Sequence, residues 1–300
     1  MLHRLKQALA RRLPVTGGRL SAETERLNTE IQTLQKAQQE SLKQITALNR
    51  ALKESNTMIR RMQEQTGRTL ERMEKSGRLC QRMASEGVWA EVFNNTITGS
   101  SWLKDQTFSP GRWALGYQAL YVLYRTLDQV RPSSILELGL GQSTRMTTQY
   151  AQQQKDVSHL VVENDPNWIA FYERRNPLGD NTHILQMDLT FQPYRDAPAV
   201  RSYANFQQLK GKTFDLILID APLGGDMKQF ARVDLLGLLP DCLAPSFVIL
   251  MDDTNRPGEK HTVAEITEVL QPLGAVTATY SGAKDMTIWT SPDLSFLCTM

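Results

Sequence analysis

Ile135-Leu-Glu-Leu-Gly-Leu-Gly-Gln-Ser-Thr144, with His159-Leu-Val-Val-Glu163 following it, decides how this chain folds. Residues 135–138 read as a buried strand, Gly139 and Gly141 as a turn that opens a helix, and the second segment as another strand ending in an acid. This is the layout of a crevice at the carboxyl ends of parallel strands, where nucleosides and nucleotides bind. Gly139 and Gly141 let the backbone turn tightly and come close to a ligand, which a Cβ would prevent. Glu163 is placed to accept hydrogen bonds from the two hydroxyls of a ribose, so an adenosine-containing ligand is expected.

The turn itself discriminates between such ligands. A dinucleotide site wants a third glycine three residues after Gly141, where this chain has Thr144, and no lysine-bearing phosphate loop is present. A pyrophosphate must sit on a helix N-terminus, whereas S-adenosylmethionine needs only close backbone approach. Glu137-Leu-Gly-Leu-Gly-Gln-Ser-Thr resembles the first motif of class I S-adenosylmethionine-dependent methyltransferases, in which an acid precedes the Gly-x-Gly. The resemblance implies a cofactor site built from Glu137, Gly139, Gly141, Ser143, Glu163 and Asp188, the last closing a third strand, Thr182–Asp188.

Outward from this motif, strands are expected near 134–138, 159–163, 183–187, 214–219 and 246–251, with helices near 142–153, 166–175, 228–239 and 260–271. Runs such as Leu216-Ile-Leu-Ile219 and Phe247-Val-Ile-Leu-Met251 suit central parallel strands covered on both faces. Ala275–Tyr280 and Asp285–Trp289 around a Ser-Gly-Ala-Lys turn make a closing hairpin. The expected fold is therefore α/β and Rossmann-like: a mostly parallel seven-stranded sheet with an antiparallel C-terminal hairpin, as in class I methyltransferases. Upstream, Trp113–Val130 has helical spacing and the segment from Val88 to Gly111 reads as loops. Trp102, Arg112 and Trp113 are candidates for a substrate lid or for core packing.

Two strand ends bring further acids to the same crevice: Asp220-Ala-Pro-Leu-Gly224, and Asp252-Asp253-Thr-Asn-Arg-Pro-Gly-Glu259. Three neighbouring carboxylates repel unless a cation joins them, and oxygen-only donors suit Mg²⁺ or Mn²⁺. Asp220, Asp252 and Asp253 are thus the candidate metal ligands, the alternative being that each caps a local turn. The arrangement resembles divalent-metal-dependent O-methyltransferases, and more closely the polysaccharide type typified by plant glucuronoxylan 4-O-methyltransferases, matched here at Asp220, Ala221, Pro222, Gly224, Asp253, Arg256 and Glu259. The Asp252-Asp253 pair is more like the macrolide-sugar enzymes. The resemblance implies a metal that holds a sugar hydroxyl and lowers its pKa. Asp220, His261 and Lys228 are candidate bases, and Arg256 a candidate for gripping an acidic sugar or closing the site.

The N-terminal third differs in kind. From Leu20 to Met83 there is neither proline nor an aromatic residue, and good helix formers dominate. One seam runs Leu20, Leu27, Leu34, Ser41, Leu48, Ser55, Met62, and a second Thr24, Ile31, Gln38, Ile45, Leu52, Ile59, Thr66, Met73. This heptad pattern predicts a coiled coil and a homo-oligomer. Ahead of it, Leu2, Leu5, Leu9 and Leu13 share a helical face in a basic leader with no acid before Glu23, a segment suited equally to an anionic membrane surface or a glycan-assembly partner and to a frayed, solvated terminus. The expected organisation is a leader at 1–18, a coiled-coil stalk at 19–85 and a methyltransferase domain at 86–300 with its core at 131–290.

Charge follows the same division. The chain carries a formal +2, but residues 1–88 hold 17 Lys/Arg against 9 Asp/Glu, and residues 89–300 hold 17 against 23. Basic residues not interleaved with aromatics argue against nucleic acid. Cys80, Cys242 and Cys298 are too few and too scattered for a disulfide framework. With no signal peptide or membrane-length apolar run, a cytoplasmic protein is expected, peripheral at the inner membrane face if the leader docks there. The expected function is methyl transfer to a sugar hydroxyl of a bacterial surface polysaccharide. Methylation of a small secondary-metabolite sugar, or a non-catalytic coiled-coil scaffold, are the competing readings.

Overall fold

The computed structural model describes residues 17–300, so the leader expected at 1–18 lies almost wholly outside the described residues. Helix α1 (Leu2–Ile97) opens the chain. Two compact units follow from the packing, Met1–Lys75 and Ser76–Met300. In the first, Leu27, Ile31, Leu34, Ile45, Leu48, Leu52, Ile59 and Met62 of the heptad seam are all exposed. Gly67, Gly77 and Gly87 do not break the helix. Among the described residues, no helix is long and apolar enough to cross a membrane.

The second unit carries the expected Rossmann-like sheet. Its seven strands are ordered β3-β2-β1-β6-β7-β9-β8, namely β1 (Ser134–Leu138), β2 (Ser158–Glu163), β3 (Thr182–Gln186), β6 (Phe214–Ile219), β7 (Leu243–Met251), β8 (Val276–Ser281) and β9 (Asp285–Thr290). The first five are parallel, and β9 runs antiparallel to both neighbours. The chain order reverses between β1 and β6, which leaves a crevice beyond their carboxyl ends.

Helices cover both faces because the central strands are apolar on both. Leu216 and Leu218 pack with α2 (Tyr117–Arg125), Met146 and Tyr150 of α3 (Gln142–Gln153), and Phe93 and Ile97 of α1. Ile217 and Ile219 point the other way, toward Ile266 and Leu270 of α5 (Pro257–Leu270). Helix α4 (Pro166–Glu173) follows β2 and starts on Asp165, whose carboxylate accepts from Asn167 N and Trp168 N.

Three segments differ from the sequence reading. Residues 88–97 are the end of α1 rather than loop, because Trp89, Phe93 and Ile97 bury against the sheet's helical layer. Residues 189–203 form an unanticipated hairpin, β4 (Leu189–Tyr194) and β5 (Ala197–Tyr203). The helix expected at 228–239 is instead irregular chain with one 3₁₀ turn, Asp234–Gly237. Arg232 takes a left-handed conformation there (φ 59°), which no α-helix tolerates.

Asp234 is a buried carboxyl with one partner: its Oδ1 accepts from Tyr203 N at 2.6 Å, and Oδ2 has none among the described residues. Burial lifts its pKa to about 7. A pKa raised on folding means the native state holds the proton more tightly, so stability falls as pH climbs from about 4 to about 7. Asp234→Asn keeps the Tyr203 bond and removes the penalty. It is expected to be more stable than wild type by roughly 2–4 kcal/mol at pH 8, with a smaller advantage at pH 5. Thermal melts by circular dichroism at the two pH values check this; a pH-independent shift would contradict it.

Candidate active site

The crevice is a cavity of about 280 Å³ lined by Trp113, Ala114, Gly139, Leu140, Gly141, Gln142, Glu163, Trp168, Asp220 and Ala221. It lies where the carboxyl ends of β1, β2 and β6 meet. Gly139 has φ +103°, and a Cβ there would sit 2.9 Å from the Ala221 Cβ. The turn after β1 therefore fits against the end of β6 only as glycine. Gly141 is different, because a Cβ would meet nothing within 4 Å. It borders the open space, and its value lies in what it leaves empty.

Glu163, at the end of β2, faces this turn. Its Oε2 accepts from Leu140 N at 3.1 Å, and its Oε1 from Asn164 N and Asp165 N at 2.7 and 3.0 Å. Three amides fix the carboxylate on the cavity wall. Trp168 is fixed too: its indole donates to Leu140 O at 2.8 Å and its ring stacks on Phe171. Trp113 is 80% exposed beside the cavity. It rides on a loop tied to α3, where Ser109 N donates to Gln142 Oε1 and Arg145 pairs with Asp105.

Other expected cofactor residues sit elsewhere. Glu137 is fully buried beneath the turn, accepting from Ser143 Oγ, from Thr144 Oγ1 at 3.0 Å and from Thr147 Oγ1 at 3.0 Å, with His159 Nε2 at 3.0 Å. It and Ser143 brace the turn from below and do not line the cavity. Thr144 Oγ1 in turn accepts from Gly141 N at 2.9 Å, so the amide of the α3 N-cap, Gly141, is satisfied internally. Asp188 is exposed past the end of β3, outside the cavity lining.

The three acids expected to converge do so: oxygens of Asp220, Asp252 and Asp253 lie within 4.8 Å of one another. Glu259 joins them from α5, and Gly224 makes room for it, since a Cβ there would overlap its carboxylate. Sequence reading missed the charges that answer them. Lys284 Nζ, from the β8–β9 turn, lies 3.1 Å from Asp252 Oδ2 and 3.4 Å from Asp253 Oδ1. Arg232 Nη2 lies 3.3 Å from Asp220 Oδ1 and 3.2 Å from Asp253 Oδ2. Arg256 Nη1 lies 2.8 Å from Asp253 Oδ2 and 3.6 Å from Glu259 Oε1. Four carboxylates thus face three cations. Asp253 and Arg232 both adopt left-handed backbone (φ 62° and 59°), a strain of about 1–3 kcal/mol each that the ion pair between them sustains.

These surroundings set the proton affinities. Burial, and then the Asp252 charge, push Asp220 up to about 7, against the pull of Arg232 and Lys284. Burial lowers the Lys284 pKa, but Asp252, Asp220 and Asp253 more than offset that and the ammonium is held charged. Asp220 is the member of the cluster that reaches the cavity; Asp252 and Asp253 are buried behind it.

This donor set does not fit the expected Mg²⁺ or Mn²⁺. Asp252 Oδ1 and both Glu259 oxygens have no hydrogen-bond partner among the described residues, but the hollow bordered by Asp220 and Asp252 is only about 10 Å³ and its other walls are mostly apolar, Leu115, Ala119, Leu218, Leu250 and Met286 among them. A hard divalent ion wants about six oxygens, and here Lys284, Arg232 and Arg256 already stand against the four carboxylates.

The remaining candidates have these surroundings. His261 is exposed on α5, its Nδ1 against Gln229 O and its ring against Phe230. Arg256 is occupied by Asp253 and Glu259 instead of facing the cavity. Lys228 is exposed on the loop before Arg232. Of the lid candidates, Trp102 is core, stacked on Tyr124 with its indole on Asp128 Oδ1 at 3.0 Å; Trp113 alone of them lines the cavity.

No family model and no curated protein matches this chain. Solved structures similar to it include an O-methyltransferase of Bacillus cereus in complex with S-adenosylhomocysteine (16% identity, TM-score 0.40, 69% of this chain and 90% of that one). Others are the methyltransferase PaMTH1 of Podospora anserina (16%, 0.41, 67% and 86%) and the O-methyltransferase TomG of Streptomyces achromogenes (13%, 0.41, 69% and 98%). The likeness is one of fold.

The two glycines separate cleanly by experiment. Gly139→Ala is expected to cost roughly 1–3 kcal/mol, from strain at positive φ and the clash with Ala221. Gly141→Ala is expected to melt with wild type while narrowing the cavity. Equal losses of Tm at both positions would contradict the assignment.

Proposed function

We propose that this chain is an S-adenosylmethionine-dependent O-methyltransferase whose acceptor is a sugar hydroxyl. One observation carries the reading: the cavity wall holds two carboxylates, Glu163 and Asp220, and two tryptophans, and no cationic side chain. That lining suits a positively charged adenosine ligand and opposes a pyrophosphate. The start of α3 points the same way, since Thr144 caps the amide of its N-cap, Gly141, and the buried Glu137 carboxyl lies beneath it. A sulfonium is attracted where a dinucleotide phosphate would be repelled.

When bound, S-adenosylmethionine supplies an electrophilic methyl on a sulfonium. The chain's own groups do the rest. Glu163 receives the ribose hydroxyls, Gly139 and Gly141 admit the ligand to the backbone, and Trp168 offers an apolar wall. Asp220, which lines the cavity, would take the proton of the acceptor hydroxyl while the methyl passes to that oxygen and the broken sulfur–carbon bond leaves the neutral thioether. Exposed Trp113 provides a face on which a sugar ring stacks. A polymer-borne sugar, as in a bacterial surface polysaccharide, suits so open a rim.

The proposal includes self-association. The exposed Leu and Ile seam of residues 20–62 has the heptad spacing of a coiled coil, and the occupant proposed for it is the same seam of a second chain.

Calorimetry on the full chain tests the cofactor, with saturable S-adenosylmethionine binding expected for wild type and loss of at least tenfold in affinity for Glu163→Ala. Asp220→Asn is expected to bind the cofactor within a few-fold and to lose 10²–10⁴ in kcat with a methyl acceptor. No binding by wild type would overturn the enzyme reading.

Sedimentation equilibrium tests the seam: a mass of two or more chains is expected, falling toward one in the Ile31→Lys, Ile59→Lys double variant. A single-chain mass for wild type would end the coiled-coil reading.

A further inference from the structure

We propose that the Lys284 ammonium is the resident cation of the acid cluster, occupying the position where the resembled enzymes carry a divalent metal, and that Glu86 of α1 holds it there. The inference concerns the same crevice but stands on the ion-pair geometry, not on the methyl-transfer reading.

Lys284 is built into this place from every side. Its Nζ is within 3.1 and 3.4 Å of Asp252 and Asp253 and donates to Ala114 O at 2.9 Å. Its backbone carbonyl accepts from Gln118 Nε2, a fully buried amide, at 2.9 Å. The turn that carries it is seized by the last turns of α1. Glu86 Oε2 accepts from Ala283 N at 2.8 Å while Oε1 accepts from Tyr117 N at 2.7 Å, so one carboxylate joins the hairpin to the start of α2. A Cβ on Gly282 would overlap that carboxylate. Ser85 Oγ and Trp89 Nε1 donate to Ser281 O at 2.9 and 3.0 Å, and Arg82 pairs with Asp285.

Such fixing has a purpose that a surface lysine would not need. Immobilising a lysine costs rotamer entropy, and a buried aspartate left without its cation costs more. The ammonium supplies a single charge, whereas a divalent ion supplies two and demands a shell of oxygens. With Arg232 and Arg256, Lys284 leaves the four-acid cluster at a formal −1. Loss of Lys284 leaves −2 around an emptied pocket faced by Asp252 Oδ2 and Asp253 Oδ1. That is the donor chemistry a hard divalent ion takes.

The test is Mn²⁺ binding to the full-length protein, read by the loss of the free-ion electron paramagnetic resonance signal. Wild type is expected to take up no stoichiometric Mn²⁺, and its melting temperature is expected to be unchanged by EDTA. Lys284→Ala is expected to bind one Mn²⁺ per chain at least tenfold more tightly than wild type, and to lose it again when Asp252→Ala is added. Should Lys284→Ala fail to fold, Lys284→Met keeps the apolar stem and carries the same measurement. Glu86→Gln, which weakens the clamp while leaving the cluster intact, is expected to gain Mn²⁺ affinity to a lesser degree. Stoichiometric Mn²⁺ on wild type overturns the proposal, as does a folded Lys284 variant that binds no more Mn²⁺ than wild type. Calorimetry of S-adenosylmethionine on the same wild-type sample separates the two readings. Absent cofactor binding defeats the proposed function and leaves this result untouched.

Discussion

The contact between the Lys284 ammonium and the carboxylates of Asp252 and Asp253 is the interaction on which the second unit turns. Two adjacent aspartates buried at the end of a central strand are tolerable only if cations are brought to them, because an unpaired buried charge costs several kcal/mol. The chain brings three, from three different places: the β8–β9 turn, the loop after β6, and the start of α5. Each delivery fixes a piece of backbone. Lys284 pins the hairpin turn, Arg232 forces the 221–233 loop out of helical conformation, and Arg256 sets the entry to α5.

That network also divides labour between the acids. Asp252, Asp253 and Glu259 are buried beside the cations, while Asp220 reaches the cavity with a raised proton affinity. Burial raises it first, and the neighbouring Asp252 charge adds to that. A second internal acid plays the matching role under the glycine turn. Glu137 gathers three hydroxyl donors and a histidine and thereby braces the loop that borders the cavity. In both places the carboxylate that touches the cavity is supported by one that does not.

The end of α1 belongs with this machinery. Arg82, Ser85, Glu86 and Trp89 all grip the β8–β9 turn, and Glu86 also receives the first amide of α2. A hairpin at the edge of a sheet would otherwise be free to move at its tip. Holding it makes the position of Lys284 a property of the helix as well as of the sheet.

The sequence alone determined the parallel strands, the glycine turn at Gly139–Gly141, the acid at Glu163 and the convergence of Asp220, Asp252 and Asp253. Each is a local pattern: continuous apolar runs, residues without a Cβ, and acids at strand ends that topology must bring to one edge. The closing hairpin and the long N-terminal helix were legible for the same reason. Only the tertiary structure decided which acids line the cavity and which are internal. Glu137 precedes the glycines just as a ligand-facing acid would, yet strand alternation turns it toward α3 and His159. Only tertiary structure, too, disclosed the cations. Lys284 looks like an ordinary turn lysine and Arg232 like one residue of an amphipathic helix, because ion pairs across 32 and 21 positions of chain leave no periodic trace. The place of His261 on α5 was readable in the same way, and its contacts with Gln229 and Phe230 were not. Spacing along the chain fixes which edge of the sheet a residue reaches; the packing of distant segments fixes what it meets there.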